Sequence, residues 1–237
     1  MIQLEICANS YQSAINAAKA KAHRIELCSE LTVGGMTPSY GLIKQVIKTC
    51  TIPVFVLIRP RSGNFAYTNA EFEIMKKDIE ICKSLGVQGI VSGVLNDDNT
   101  IDLKRSKELI NLSKPLSFTF HRAFDCVPNP FKALEELLEL GVHRILTSGM
   151  EPTAEEGLDV LIKLNKKAAG RIAILAGSGI NPMNAGKFIA AGLTEIHASA
   201  SKVISTDNNH AYFGNIPQTV SCPETITLLL KAIQDAD

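Results

Sequence analysis

Neither charge sign is in excess: Lys plus Arg is 24 and Asp plus Glu is 24, a formal net charge of zero. A balanced chain offers no electrostatic footprint for a nucleic-acid backbone or an anionic membrane, so neither partner is expected. Long apolar runs are also missing, and none approaches the ~20 residues that span a bilayer. The opening Met1-Ile2-Gln3-Leu4-Glu5-Ile6 lacks the basic start and continuous apolar stretch of a secretion signal, and the expected compartment is the cytoplasm. Cysteine is sparse and scattered, at positions 7, 28, 50, 82, 126 and 222, with no CxxC pair. That excludes a small disulfide scaffold and a four-cysteine zinc site, and in a reducing compartment it leaves free thiols. What remains is a globular composition of 237 residues, 46% hydrophobic and 20% charged, enough for one sizeable core.

Short β-branched or apolar runs alternate with amphipathic segments of helical length. Strands are expected at 2–7, 24–28, 54–59, 89–93, 116–121, 144–148, 171–176 and 195–199, their starts separated by 22 to 35 positions. Helices are expected at 10–22, 39–48, 69–85, 102–110, 129–140, 153–167 and 181–191. Asn69, Asp102 and Asn181 read as helix caps, and Pro130 and Pro182 as first-turn prolines. Four helices run into a glycine, at 86, 141, 170 and 192, suited to a left-handed C-terminal cap. Eight such units without a linker predict one (β/α)8 barrel domain over residues 1–237, with an irregular loop at about 202–218 and a closing helix after Pro223.

In such barrels chemistry sits at the C-terminal ends of the strands. The first strand ends Leu4-Glu5-Ile6-Cys7 and the second Ile25-Glu26-Leu27-Cys28, the same apolar-Glu-apolar-Cys pattern twice. Strand alternation sends Glu and Cys into the barrel. Adjacent strands lie ~4.8 Å apart, and two metal–thiolate bonds of about 2.3 Å, the value for zinc, span about 4.6 Å. Two facing thiolates suit one soft ion, and thiolate-only sites of low coordination favour Cu(I). The alternative is a pair of small buried hydrophobes, the usual fate of unpaired cysteine.

Glu5 and Glu26 need partners, since an unpaired carboxylate in a barrel interior is costly. Arg59 and Arg61, His121 with Arg122 and Asp125, and His197 follow or end other strands. Glu5, Glu26, Arg59, His121, Asp125 and His197 are the candidates for acid–base work, and Arg59, Arg61 and Arg122 for holding a small anion; the alternative is an internal ion-pair lattice. Gly177-Ser178-Gly179 leads into a capped helix, a place where phosphate sits in many barrels, or equally a plain tight turn. Cys126 lies close enough to the mouth to be considered as a third thiolate.

With these residues assembled, the chain resembles the CutC copper-homeostasis family. The resemblance runs from Leu4 to about Ser201 and is carried by Leu-Glu-Ile-Cys at 4–7, Arg-Ile-Glu-Leu-Cys at 24–28, Gly-Gly-Met-Thr-Pro-Ser at 34–39, Ile-Arg-Pro-Arg at 58–61, Thr-Phe-His-Arg-Ala-Phe-Asp at 119–125 and Leu-Thr-Ser-Gly at 146–149. It implies a single cytoplasmic (β/α)8 barrel that forms homo-oligomers and takes Cu(I) at Cys7 and Cys28. Two positions depart from the family pattern. Ser178 stands where three glycines are common, and Cys126 where a bulkier apolar residue is usual. The competing expectation is a barrel enzyme acting on a small anionic or phosphorylated metabolite through the Glu/Arg/His cluster.

Overall fold

The computed structural model describes residues 2–205 and 217–236. Eight parallel strands close into a barrel: β1 (Gln3–Ala8), β2 (Arg24–Leu27), β3 (Val54–Leu57), β4 (Gly89–Ser92), β5 (Ser117–Phe120), β6 (Arg144–Thr147), β7 (Ala173–Gly177) and β8 (Glu195–Ala198), with β8 pairing back onto β1. Helices follow the strands: α1 (Tyr11–Lys19), α2 (Tyr40–Thr49), α3 (Asn69–Leu85), α4 (Leu103–Ser113), α5 (Pro130–Glu139), α6 (Leu158–Ala168), α7 (Ala185–Ala190) and α8 (Pro223–Gln234). The expected TIM-type (β/α)8 fold is the fold observed.

Strand parity sorts the side chains. Leu4, Ile6, Ile25, Leu27, Val56, Ile90, Phe118 and Phe120 are buried in the main apolar core, the outward set by alternation, and they pack with the helices. The inward set includes Glu5, Cys7, Arg24, Glu26 and Phe55. This interior departs from the branched aliphatic filling usual in such barrels, because charge replaces bulk at several positions. Gly89 makes room for one inward ring: a Cβ there would lie 2.5 Å from Phe55. Gly89→Ala is therefore expected to destabilise the fold by about 1–3 kcal/mol through overpacking, measured as a lowered urea midpoint at unchanged slope.

The helix starts differ from the sequence expectations where side chains compete for the cap. α3 is capped by Thr68 rather than Asn69, because Thr68 and Glu71 form a reciprocal capping box. The segment from Thr153 opens with a similar exchange between Thr153 and Glu156, yet α6 begins only at Leu158. The reason is a backbone crossing: a Cβ on Gly157 would lie 1.9 Å from the Ser148 carbonyl oxygen. α7 is likewise shorter than expected, since Asn181 closes a local turn by accepting from the Met183 N–H. Gly86, Gly141, Gly170 and Gly192 all take positive φ at the helix exits.

The stretch expected as an irregular loop at 202–218 is bounded by an antiparallel pair, β9 (Ser201–Ser205) and β10 (Gln218–Ser221). Residues 206–216 lie outside the described residues. β10 ties this ribbon to the barrel, because the Ser221 N–H donates to Ser13 Oγ and the Asn16 side chain donates to the Ser221 carbonyl.

Candidate metal and ligand site

Three neighbouring strands build the floor of the site. In the register of β1 with its neighbours, Glu5 lies beside Arg24 and His197, and Cys7 beside Glu26. The Cys7 and Cys28 sulfurs are 3.7 Å apart, and both residues are buried. Leu57, Phe55 and Val91 surround the two thiols. Gly35 closes over Cys28, where a Cβ would come within 3.5 Å of the Cys28 Cβ and 2.7 Å of Leu57.

Below the thiols runs an ion-pair chain. Arg24 donates to Glu5 Oε2 and to Glu195 Oε2, each at 2.5 Å, and Arg144 donates to the same Glu195 oxygen at 3.1 Å. Both guanidinium groups lie over Phe55, 5.3 and 5.1 Å from its ring centroid. The other Glu5 oxygen is 2.7 Å from His197 Nδ1. Burial alone would raise the Glu5 pKa, but Arg24 and then His197 hold it well below the carboxylate range. Burial alone would also neutralise His197, yet its hydrogen bonds with Cys7 and Glu5 hold it well above the ordinary value. Glu26 has no such anchor. Its Oε2 is buried without a hydrogen bond, 4.0 Å from His197 Nδ1, and burial pushes its pKa up to about 7 against the opposing pull of His197.

Above this floor opens a cavity of about 650 Å³ that reaches Cys7, Glu26 and His197. Arg59, Phe65 and His121 line it, and Arg122, Asp125 and Cys126 belong to the short 3-10 turn that also borders it. The mouth is thus open to a ligand, with a charged floor. Cys28 and Glu5 lie behind the lining residues.

The remaining sequence candidates separate. Asp125 is a loop organiser: it accepts from Thr147 Oγ1, from the Ser148 and Met150 N–H groups and from Arg122 Nε. Arg122 also donates to Ser148 Oγ at 2.8 Å. Arg61 lies outside the cavity lining, with its donors spent on Glu71 and on the Ser62, Asn64 and Ala66 carbonyls. At Gly177-Ser178-Gly179 the Ser178 Oγ donates to the Pro152 carbonyl, and the helix beyond has only six residues. The turn joins two loops, and Ser178 and Gly179 line the cavity beside Ile180. Cys126 is exposed at the rim, and Cys222 donates to Glu224 at the start of α8.

Two donor sets invite comparison for a metal. Glu5, Glu26 and His197 bring one ligand atom each within 4.8 Å of the others. Both Glu5 oxygens are already bonded, however, and the Arg24 charge adjoins them, so this trio reads as part of the ion-pair chain. The thiol pair fits a soft ion better. With bonds of about 2.3 Å, sulfurs 3.7 Å apart subtend roughly 107° at a shared ion. A bent grip of that kind leaves a further coordination direction open, whereas a linear grip needs the sulfurs to part by about 0.9 Å.

Sequence reasoning left out Arg24 and Arg144 as partners of the buried carboxylates. The available signal was parity, since Arg24 lies two and four residues before Glu26 and Cys28 on one strand. Phe65 and Gly35 arrive from loops and carry no periodic signal.

A closed parallel barrel with a polar mouth over paired buried thiols defines a TIM-type protein with a ligand cavity at the strand C-termini. The chain belongs to the CutC family, whose model matches residues 2–202. A CutC family protein of Photorhabdus laumondii is 48% identical over 204 residues, covering 86% of this chain and 82% of the relative. A human protein named copper homeostasis protein cutC homolog is 44% identical over 226 residues, covering 93% of this chain and 82% of that protein. A solved CutC structure from Streptococcus agalactiae superposes with a TM-score of 0.79 at 35% identity, over 84% of this chain and 99% of that one. A thiamine phosphate pyrophosphorylase from Pyrococcus furiosus, at 14% identity and TM-score 0.64, shares the fold alone.

Proposed function

We propose that this protein binds Cu(I) as cargo in copper homeostasis, with Cys7 and Cys28 as its ligands. The observation that carries the reading is the pair of buried thiols on adjacent strands, sulfurs 3.7 Å apart, with Cys7 at the floor of an open cavity and Cys28 directly behind it. Thiolate donors select a soft monovalent ion over Mg²⁺ or Ca²⁺. Two thiolates and one Cu(I) carry a net negative charge, and a protonated His197 beside Cys7 offsets it. The copper names of the relatives point the same way. A reducing compartment such as the cytoplasm keeps both ligands as free thiols.

The ligand is the thiolate, so loading competes with protons. The Cys7 thiol is pushed well above its ordinary pKa by its contact with Cys28 and by burial. At neutral pH Cys7 therefore holds its proton, and copper displaces it. Apparent Cu(I) affinity is expected to rise about tenfold per pH unit for each proton released, read by anaerobic chelator competition between about pH 6 and 8. A flat profile contradicts this assignment of the ligand's protonation state.

The direct test is metal analysis of protein purified anaerobically from copper-supplemented cells. The reading expects about one copper per chain in the wild type and close to none in the Cys7/Cys28 double variant. A wild type that emerges copper-free and fails to take up Cu(I) under reducing conditions overturns it.

A further inference from the structure

The two thiols are not equally accessible. Cys7 is 5% exposed and lines the cavity, whereas Cys28 has no exposed surface and takes no part in the lining. Cys28 is closed off on its other side by the loop after β2. Gly35 of that loop takes positive φ and lies so close that a Cβ there would come 3.7 Å from the Cys28 sulfur and 2.7 Å from Leu57. Two sets of bonds hold the loop down. Ser29 and Met36 exchange backbone hydrogen bonds of 3.0 and 2.8 Å, and Arg59 Nη1 donates at 2.8 Å to the Val33 and Gly35 carbonyls. Among the described residues, the way from the cavity to Cys28 leads past Cys7, and the two sulfurs are 3.7 Å apart.

A soft ion moves between soft ligands, so a copper donor must bring its own sulfur to within bonding distance of an ion on Cys7, at the cavity floor. The cavity of about 650 Å³ has the size of a small-molecule site. We propose that Cu(I) reaches this site as its complex with a low-molecular-weight thiol, which enters the cavity and is displaced first by Cys7 and then by Cys28. In the first substitution the Cys7 sulfur bonds copper, and one carrier thiolate leaves with the Cys7 proton as free thiol. What remains is a mixed complex, with copper between Cys7 and the second carrier thiolate. In the second substitution Cys28 bonds copper, and that thiolate leaves with the Cys28 proton. Two copper–sulfur bonds form and two break, and copper stays Cu(I) throughout. The inference rests on the copper reading and adds to it the carrier and the order of attack.

The test loads the protein anaerobically with the Cu(I) complex of glutathione and follows it by native mass spectrometry. Cys28→Ser stops the sequence after one substitution and is expected to accumulate a species carrying both copper and glutathione. Cys7→Ser, with Cys28 out of the carrier's reach, should lose that species. In the wild type it should be transient and give way to copper without glutathione. Cu(I) on a thiol-bearing dextran, too large for the cavity, should load the wild type at least about tenfold more slowly, since its sulfurs are tethered outside. Equal loading from dextran overturns the small carrier. A mixed species as abundant in Cys7→Ser overturns the order, with first capture at the exposed Cys126 if Cys126→Ser abolishes it. If Cys28→Ser fails to fold, Cys28→Ala replaces it and the wild-type transient decides. A wild type that takes no copper even at equilibrium with a Cu(I) chelator removes the copper reading itself. One that takes copper from the chelator, yet shows no mixed species with glutathione, removes the carrier and the order alone.

Discussion

Cys7→Ser or Cys28→Ser is expected to lower Cu(I) affinity by more than about a hundredfold, beyond what a change outside the ligand set produces. One thiolate cannot hold a two-thiolate site, and a serine hydroxyl is a hard donor that soft Cu(I) disfavours. Cys50→Ser and Cys82→Ala should leave the affinity unchanged. Cys50 lies at the end of α2 with its thiol directed to the Ile52 carbonyl, and Cys82 is packed within α3. Anaerobic competition with a coloured Cu(I) chelator reads the difference, and the absence of Trp keeps the near-ultraviolet background low. Equal competition by the Cys7/Cys28 double variant and the wild type would move the ligands elsewhere, with Cys126 and Cys222 the thiols to examine next.

Arg24→Met should destabilise the fold by about 3–5 kcal/mol, the usual cost of leaving buried charges unpaired. Arg24 bonds Glu5 and Glu195 at 2.5 Å, and its side chain is 6% exposed. Its removal leaves Glu5 with His197 alone and Glu195 with Arg144 alone. The sign with pH follows from Glu5, whose folded pKa is depressed: its stabilisation is present above the unfolded value of about 4.5 and is lost as pH falls through the folded value. Glu26 and His197 act in the opposite sense, because both pKa values are raised. What they contribute is full at acid pH and fades as pH rises, for Glu26 through about 7. Urea titrations should show the Arg24→Met deficit greatest at neutral pH and shrinking on acidification. A constant deficit would mean that the arginine acts through packing on Phe55 instead.

The barrel was legible because its signal is repetitive: eight strand runs at similar spacing, glycines at the helix exits, and capping residues that act locally. The errors fall where distant backbone intervenes. Thr153 carries a valid cap, but Gly157 must lie against the Ser148 carbonyl, a crossing that no local pattern encodes. At the site, parity brought Glu5, Cys7, Glu26, Cys28 and His197 to one floor, since alternation is a local property and these strands are neighbours. Parity also put Arg59 and His121 at the cavity. It had nothing to say about Arg61, which turns to Glu71 and the loop carbonyls, or about Asp125, whose oxygens are taken by the turn after β6. Those outcomes depend on loop paths. So does Phe65, which no periodicity places beside His121.

The central claim is that copper sits on the Cys7 and Cys28 sulfurs, and X-ray absorption at the copper edge of the Cu(I)-loaded protein tests it most directly. The account predicts Cu(I) with two sulfur scatterers in its first shell, both lost in the Cys7/Cys28 double variant. A first shell of nitrogen and oxygen alone in the wild type, or the same sulfur shell in the double variant, would contradict it.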